Sequence, residues 1–144
     1  MRRVFSVCVV LLLALGFGPA ALFGQTDPGR ERGFQLNQNY PNPFNPTTTL
    51  SFELYPSLFE SGKPPVVTIR IYNVLQQLVA VPKALNHARG DVPVENLEYD
   101  SPGVKEAFWD GTDLHGRRVS SGIYYMQLVV NGERPAVRKM VVSK

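Results

Sequence analysis

The sequence predicts an all-β sandwich, and three observations predict it. Short stretches alternate apolar and polar residues with period two. Turn-forming Gly, Pro, Asp–Gly and Asn–Gly signals recur between them. After residue 25 no stretch carries the 3.6-residue period of an amphipathic helix, and many short strands with frequent turns read as two packed sheets.

Taken in order, Gln25 to Gly33 is polar, is broken by Pro28–Gly29, and reads as a short linker. Phe34-Gln35-Leu36 is a brief alternating piece. The run Asn39-Tyr40-Pro41-Asn42-Pro43-Phe44-Asn45-Pro46 cannot be helical, because each proline fixes φ near −65° and pushes the preceding residue into extended backbone. It reads as an extended, kinked arm, with bends at Asn42 and Asn45 and with Tyr40 and Phe44 as the pegs that pin it. It leads into a half-buried strand, Thr48 to Leu54, expected as the opening edge of the sandwich. Tyr55 to Pro65 is a loop, and Val66 to Tyr72 alternates again. Asn73 to Gln77 is a tight turn into Leu78 to Val81. Pro82 to Gly103 is the least patterned region, with a short strand possible at Asp91 to Glu95. Val104 to Trp109 is a strand ending in the Asp110–Gly111 turn. Gly122 to Asn131 is a long β-branched and aromatic run. Asn131–Gly132 is the strongest hairpin signal, and Arg134 to Ser143 returns as the last strand.

The first 24 residues read as a signal peptide rather than as part of the domain. Arg2 and Arg3 form a basic start, Val4 to Leu15 is apolar, and Gly16 to Gly24 is rich in small residues. The apolar run is short of the ~20 residues a membrane helix needs. Cleavage is expected before Gln25, with Ala20 and Ala21 as neighbouring sites. The division is then 1–24 signal peptide, 25–33 linker and 34–144 one domain. Removing the signal leaves 13 basic against 12 acidic residues, a net +1, and removes Cys8, the sole cysteine. A nucleic-acid or anionic-membrane role loses its electrostatic motive. Neither a disulfide nor a cysteine metal site is available to the mature chain, so core burial must stabilise it.

The arm resembles the opening of type A (Por) C-terminal sorting domains of type IX secretion, and equally the immunoglobulin-like domain of flagellar hook-capping proteins. Further matches follow in order: Val67 to Leu75 as strand and turn, Trp109-Asp110-Gly111-Thr112-Asp113, Val119 to Tyr125 with its Gly-x-Tyr element, and Lys139 to Lys144. Together they cover roughly residues 34 to 144. Gln76 stands where the family usually has a turn glycine, and Pro82 to Gly103 is longer than its usual connection. The resemblance implies an immunoglobulin-like β-sandwich of about seven antiparallel strands. It implies a non-catalytic sorting module, exported through the periplasm and recognised by an outer-membrane translocon and its sorting peptidase. The product would be secreted or held at the cell surface. It assigns recognition to Pro41, Pro43 and Asn45 in the arm, Gly122 and Tyr124 in the middle, and Lys139, Val142 and Lys144 at the end. In that family the domain follows a large cargo; here only Gln25 to Gly33 separates signal from domain. The alternative reading is a stand-alone extracellular immunoglobulin-like structural or adhesion subunit, pairing with a neighbour through an edge strand.

No catalytic constellation emerges. His87 and His115 are the only histidines, and no nucleophile spacing accompanies them. Asp110 and Asp113 are weak candidates for a shared cation, but calcium takes six to eight oxygens and two carboxylates are more often turn formers. No cofactor, nucleic-acid partner or stable membrane span is expected after cleavage. Trp109 reads as core-edge packing, and one of Tyr124 and Tyr125 must face outward. Lys139 and Lys144 with Arg138 form a small positive end on a strand that lysines guard against edge pairing.

Overall fold

The computed structural model describes residues 28–144, so the expected signal peptide and Cys8 lie outside the described residues. The element order is α1 (Pro28–Arg32), β1 (Phe34–Leu36), β2 (Thr48–Leu54), a 3-10 turn at Pro56–Phe59, β3 (Val66–Asn73), β4 (Leu78–Ala80), β5 (Lys83–Leu85), β6 (Leu97–Glu98), β7 (Gly103–Trp109), β8 (Gly122–Val130) and β9 (Ala136–Val142). Two antiparallel sheets result. One has the order β1-β2-β7-β5, and the other β4-β3-β8-β9 with β6 added to β3.

The sheets form because period-two strands each have one apolar face to bury. In β2 that face is Thr48, Leu50, Phe52 and Leu54, all buried. In β8 it is Tyr124, Met126, Leu128 and Val130. These faces meet in one cluster with Ile69, Ile71, Ala107, Trp109 and Met140. Full burial of each such Leu, Ile, Phe or Met contributes about 1.5–3 kcal/mol. The Asn131–Gly132 turn forms with both residues at positive φ, 52° and 69°. It also ties back to β3, where the Val66 amide donates to Asn131 Oδ1 at 2.9 Å.

Several expectations are corrected. Nine strands stand among the described residues, not about seven. The additional ones include β5 and β6, of three and two residues, too short to display a period. No strand forms at Asp91 to Glu95. That segment makes one isolated antiparallel bridge, Lys83 with Pro93, through Ala84 N to Val92 O at 2.8 Å and Val94 N to Pro82 O at 2.9 Å, and the Val94 carbonyl accepts the Ile69 amide at 2.9 Å. Strand β2 is not an edge, because β1 pairs along its outer side. Within the linker, Pro28–Arg32 forms a short helix.

Candidate functional site

The proline arm crosses from one sheet to the other, and its bonding explains the route. It first runs beside β2, with Tyr40 and Thr49 exchanging backbone bonds of 2.9 Å. Asn39, buried, donates from Nδ2 to Thr48 Oγ1 at 3.0 Å and to the Pro41 carbonyl at 3.1 Å. Thr48 Oγ1 in turn donates to that carbonyl at 3.0 Å. A buried amide so satisfied costs little; stripped of its partners it would cost about 1–3 kcal/mol. The X–Pro bonds before Pro41, Pro43 and Pro46 are cis.

The arm then reaches β9. Gln38 Nε2 donates to the Lys139 carbonyl at 2.8 Å. Asn42 Oδ1 accepts the Val141 amide at 3.0 Å. The Phe44 amide donates to the Val141 carbonyl, and the Ser143 amide donates to the Phe44 carbonyl, each at 3.0 Å. Phe44 and Val142 thereby form a parallel bridge. Arg138 Nε adds a 3.1 Å bond to the Leu36 carbonyl. The outer side of β9, expected as an open edge guarded by lysines, is therefore covered by the arm.

Under this corner lies an aromatic chain. The Phe44 ring meets Trp109 edge-on at 5.3 Å, and Trp109 meets Tyr124 at 5.8 Å. Each indole and phenol also finds a polar partner. Trp109 Nε1 donates to the Thr112 carbonyl at 2.9 Å, and the Tyr124 hydroxyl donates to the Ser120 carbonyl at 2.9 Å. Gly111 closes the corner. Its φ is +76°, and a Cβ there would lie 2.3 Å from the Pro46 carbonyl oxygen.

The sequence-predicted residues thus converge, though not all as surface determinants. Gly122 is paired with Val142. The Lys144 amide donates to Ser121 Oγ at 3.1 Å. Pro41, Pro43, Asn45, Gly122, Lys139 and Lys144 are exposed. Tyr124 and Val142 are buried, at 7% and 5% exposure, so their side chains support the corner from beneath. A groove of about 550 Å³ opens alongside, lined among others by Val74, Arg118, Ser120, Ser121, Gly122 and Ile123. Tyr40 is not a peg: its side chain is 81% exposed while Phe44 is 1% exposed. Asn39 and Asn42, which read in sequence only as a flank and a bend, anchor the arm together with Phe44.

The aspartate loop is occupied by its own turns. Asp110 Oδ1 accepts the Thr112 amide at 3.0 Å and its hydroxyl at 2.6 Å. Asp113 Oδ1 accepts the His115 and Arg117 amides, and its Oδ2 faces Arg117 Nε at 3.2 Å. The Thr112 hydroxyl bond holds Asp110 below the usual carboxylate range, and the Arg117 amide does the same for Asp113. Among the described residues no group of three or more His, Cys, Asp or Glu side chains could hold a metal. His87 uses both ring nitrogens locally, Nδ1 toward the Arg89 amide at 3.1 Å and Nε2 toward the Glu98 carbonyl at 2.8 Å. Among the described residues no helix is long and apolar enough to cross a membrane.

No protein-family model, curated protein or solved structure matches the chain.

Proposed function

We propose that the chain carries an immunoglobulin-like sorting module of the type IX secretion kind, read by an outer-membrane translocon and its sorting peptidase. The observation that supports this reading is the convergence of three sequence-distant elements on one corner: the proline arm, the Gly122–Tyr124 segment and residues 139–144. A recognition surface assembled this way exists only in the folded chain. A translocon reading it would sample folding and identity together. In this reading Pro41, Pro43, Asn45, Lys139 and Lys144 offer shape and charge on the surface. Phe44, Trp109, Tyr124 and Val142 hold that surface in place. The alternative, a structural subunit that recruits a neighbour through an edge strand, is disfavoured at β9 because the arm already fills that edge.

The test is export of a reporter carrying residues 25–144 at its end, in hosts with and without a type IX translocon. Translocon-dependent release supports the reading. Release in both hosts, or in neither, sinks it.

A further inference from the structure

Strand β1 ends one sheet and β9 ends the other, and Arg138 of β9 reaches across with Nε to the Leu36 carbonyl at 3.1 Å. A groove of about 400 Å³ opens along this side, and Arg32, Arg134 and Arg138 all line it. All three residues are exposed.

Two of the three guanidiniums are held in place. Arg32 lies over the Phe34 ring, its Cζ 4.8 Å from the centroid, and its Nη2 donates to the Arg134 carbonyl. Arg138 is fixed by its bond to Leu36. A guanidinium has five N–H donors, and each of these two uses one, so most of each fork stays free for an anion. Among the described residues the Arg134 side chain makes no hydrogen bond.

The charge is not neutralised locally. Among the described residues the ion pairs are Arg70–Glu95 and Arg117–Asp113. Glu31 and Glu133 adjoin Arg32 and Arg134 in the chain, and Glu53 is the rung partner of Gln35, yet none of them pairs with these arginines. No Asp or Glu lines the groove. Like charges fixed along one groove repel, and an anionic ligand relieves that repulsion.

The spacing selects the occupant. Arg32 stands at Phe34 and Arg138 at Leu36, which are alternate residues of one strand. Alternate residues of an extended chain lie about 6.8 Å apart and point their side chains the same way. A peptide lying extended along β1 has that same repeat. Carboxylates at its positions i and i+2 therefore fall in step with the two guanidiniums, each met by a two-bond fork. We propose that this groove binds an extended acidic peptide through Asp or Glu at alternate positions.

The test is amide NMR of the full chain, titrated at low salt with an acetylated pentapeptide. Aspartate stands at its positions 2 and 4, and threonine elsewhere. Saturable shifts confined to residues 32–36 and 134–138 are expected. A second peptide, with its two aspartates adjacent, should bind about threefold more weakly. Arg32→Gln and Arg138→Gln should each weaken binding of the first peptide about three- to fivefold. Arg134→Gln breaks no side-chain hydrogen bond of the fold, so it should weaken binding about twofold at an unchanged melting temperature. No saturable shift, shifts that map elsewhere, or equal affinity for the two peptides overturns the proposal. So does an equal response to inorganic phosphate or to a five-residue thymidine oligonucleotide.

Discussion

Replacing Phe44 with alanine should cost the protein a large part of its stability, although Phe44 belongs to no regular strand. Its ring is 1% exposed and packs 5.3 Å from Trp109. Phe→Ala in a core costs about 3–5 kcal/mol, cavity included. The site cannot easily collapse, because Phe44 is clamped on both sides by backbone bonds to Val141 and Ser143. We therefore expect about 4 kcal/mol. At about 3–5 °C per kcal/mol for a domain of this size, the melting temperature should fall by about 15 °C. Tyr40→Ala, four residues earlier in the same arm, should stay within about 0.5 kcal/mol because its ring is in solvent. Thermal and guanidinium unfolding of the two variants measure the contrast. Hydrogen exchange locates it: the Val141 and Ser143 amides, bonded to Asn42 and Phe44, should lose protection before the Met126 amide in β8. A loss under about 1 kcal/mol for Phe44→Ala, or equal losses for both variants, would refute the claim that Phe44 anchors the arm.

Gly111→Ala should destabilise by more than about 3 kcal/mol, since the new Cβ meets the Pro46 carbonyl in addition to the left-handed backbone penalty of about 1–2 kcal/mol. Gly116→Ala, with a φ of +77° and open space around its Cβ, should show the backbone penalty alone; denaturant midpoints separate the two. Gln76→Gly should stabilise by about 1 kcal/mol, because Gln76 already sits at φ 60°, and the same titration reads it. Tyr99 is buried with its hydroxyl unpartnered among the described residues, so Tyr99→Phe should be neutral or stabilising by about 1 kcal/mol at pH 7. Burial pushes the Tyr99 hydroxyl up to about 12. The unfolded chain then ionises first, so stability present below about pH 10 is lost as pH rises toward 12, and Tyr99→Phe should remove that part of the alkaline decline in denaturation curves.

The strands that were legible in sequence are those long enough to alternate. Strands β2, β3, β7, β8 and β9 each run seven residues or more, and in β2 and β8 the buried face shows as a clear period two. Strands β5 and β6 exist only because β7 and β3 supply partners for them, and two or three residues hold no period. The arm's extended form was legible because proline dictates φ. Its destination was not, because that rests on amide side chains reaching about a hundred positions along the chain. Tyr40 and Phe44 look equivalent in sequence; the intervening prolines break the alternation that would have told their faces apart. The glycine-less turn at Gln76 is explained by Asn73, whose Oδ1 collects two turn amides and whose Nδ2 donates to Gln77 Oε1 at 2.9 Å, holding Gln76 left-handed without a glycine. In the aspartate loop the turn-forming role of Asp110 and Asp113 was readable from residue type alone.

The arm's composition also explains why it can finish a sheet. An uncovered β9 would present the Val141 amide and carbonyl, the Lys139 carbonyl and the Ser143 amide to any passing strand, and a long open edge is a template for aggregation. An ordinary strand laid over them would close that edge only by exposing its own. The arm does not, because Pro41, Pro43 and Pro46 have no N–H to offer outward. It meets β9 with one backbone amide, one backbone carbonyl and two borrowed side chains, from Gln38 and Asn42. A segment of this kind satisfies its neighbour without becoming a template itself. The same property fixes what a partner can read at this corner: side chains and shape, with the β9 backbone already taken. Any protein that binds here by strand addition must first displace the arm, and with it the buried Phe44 ring.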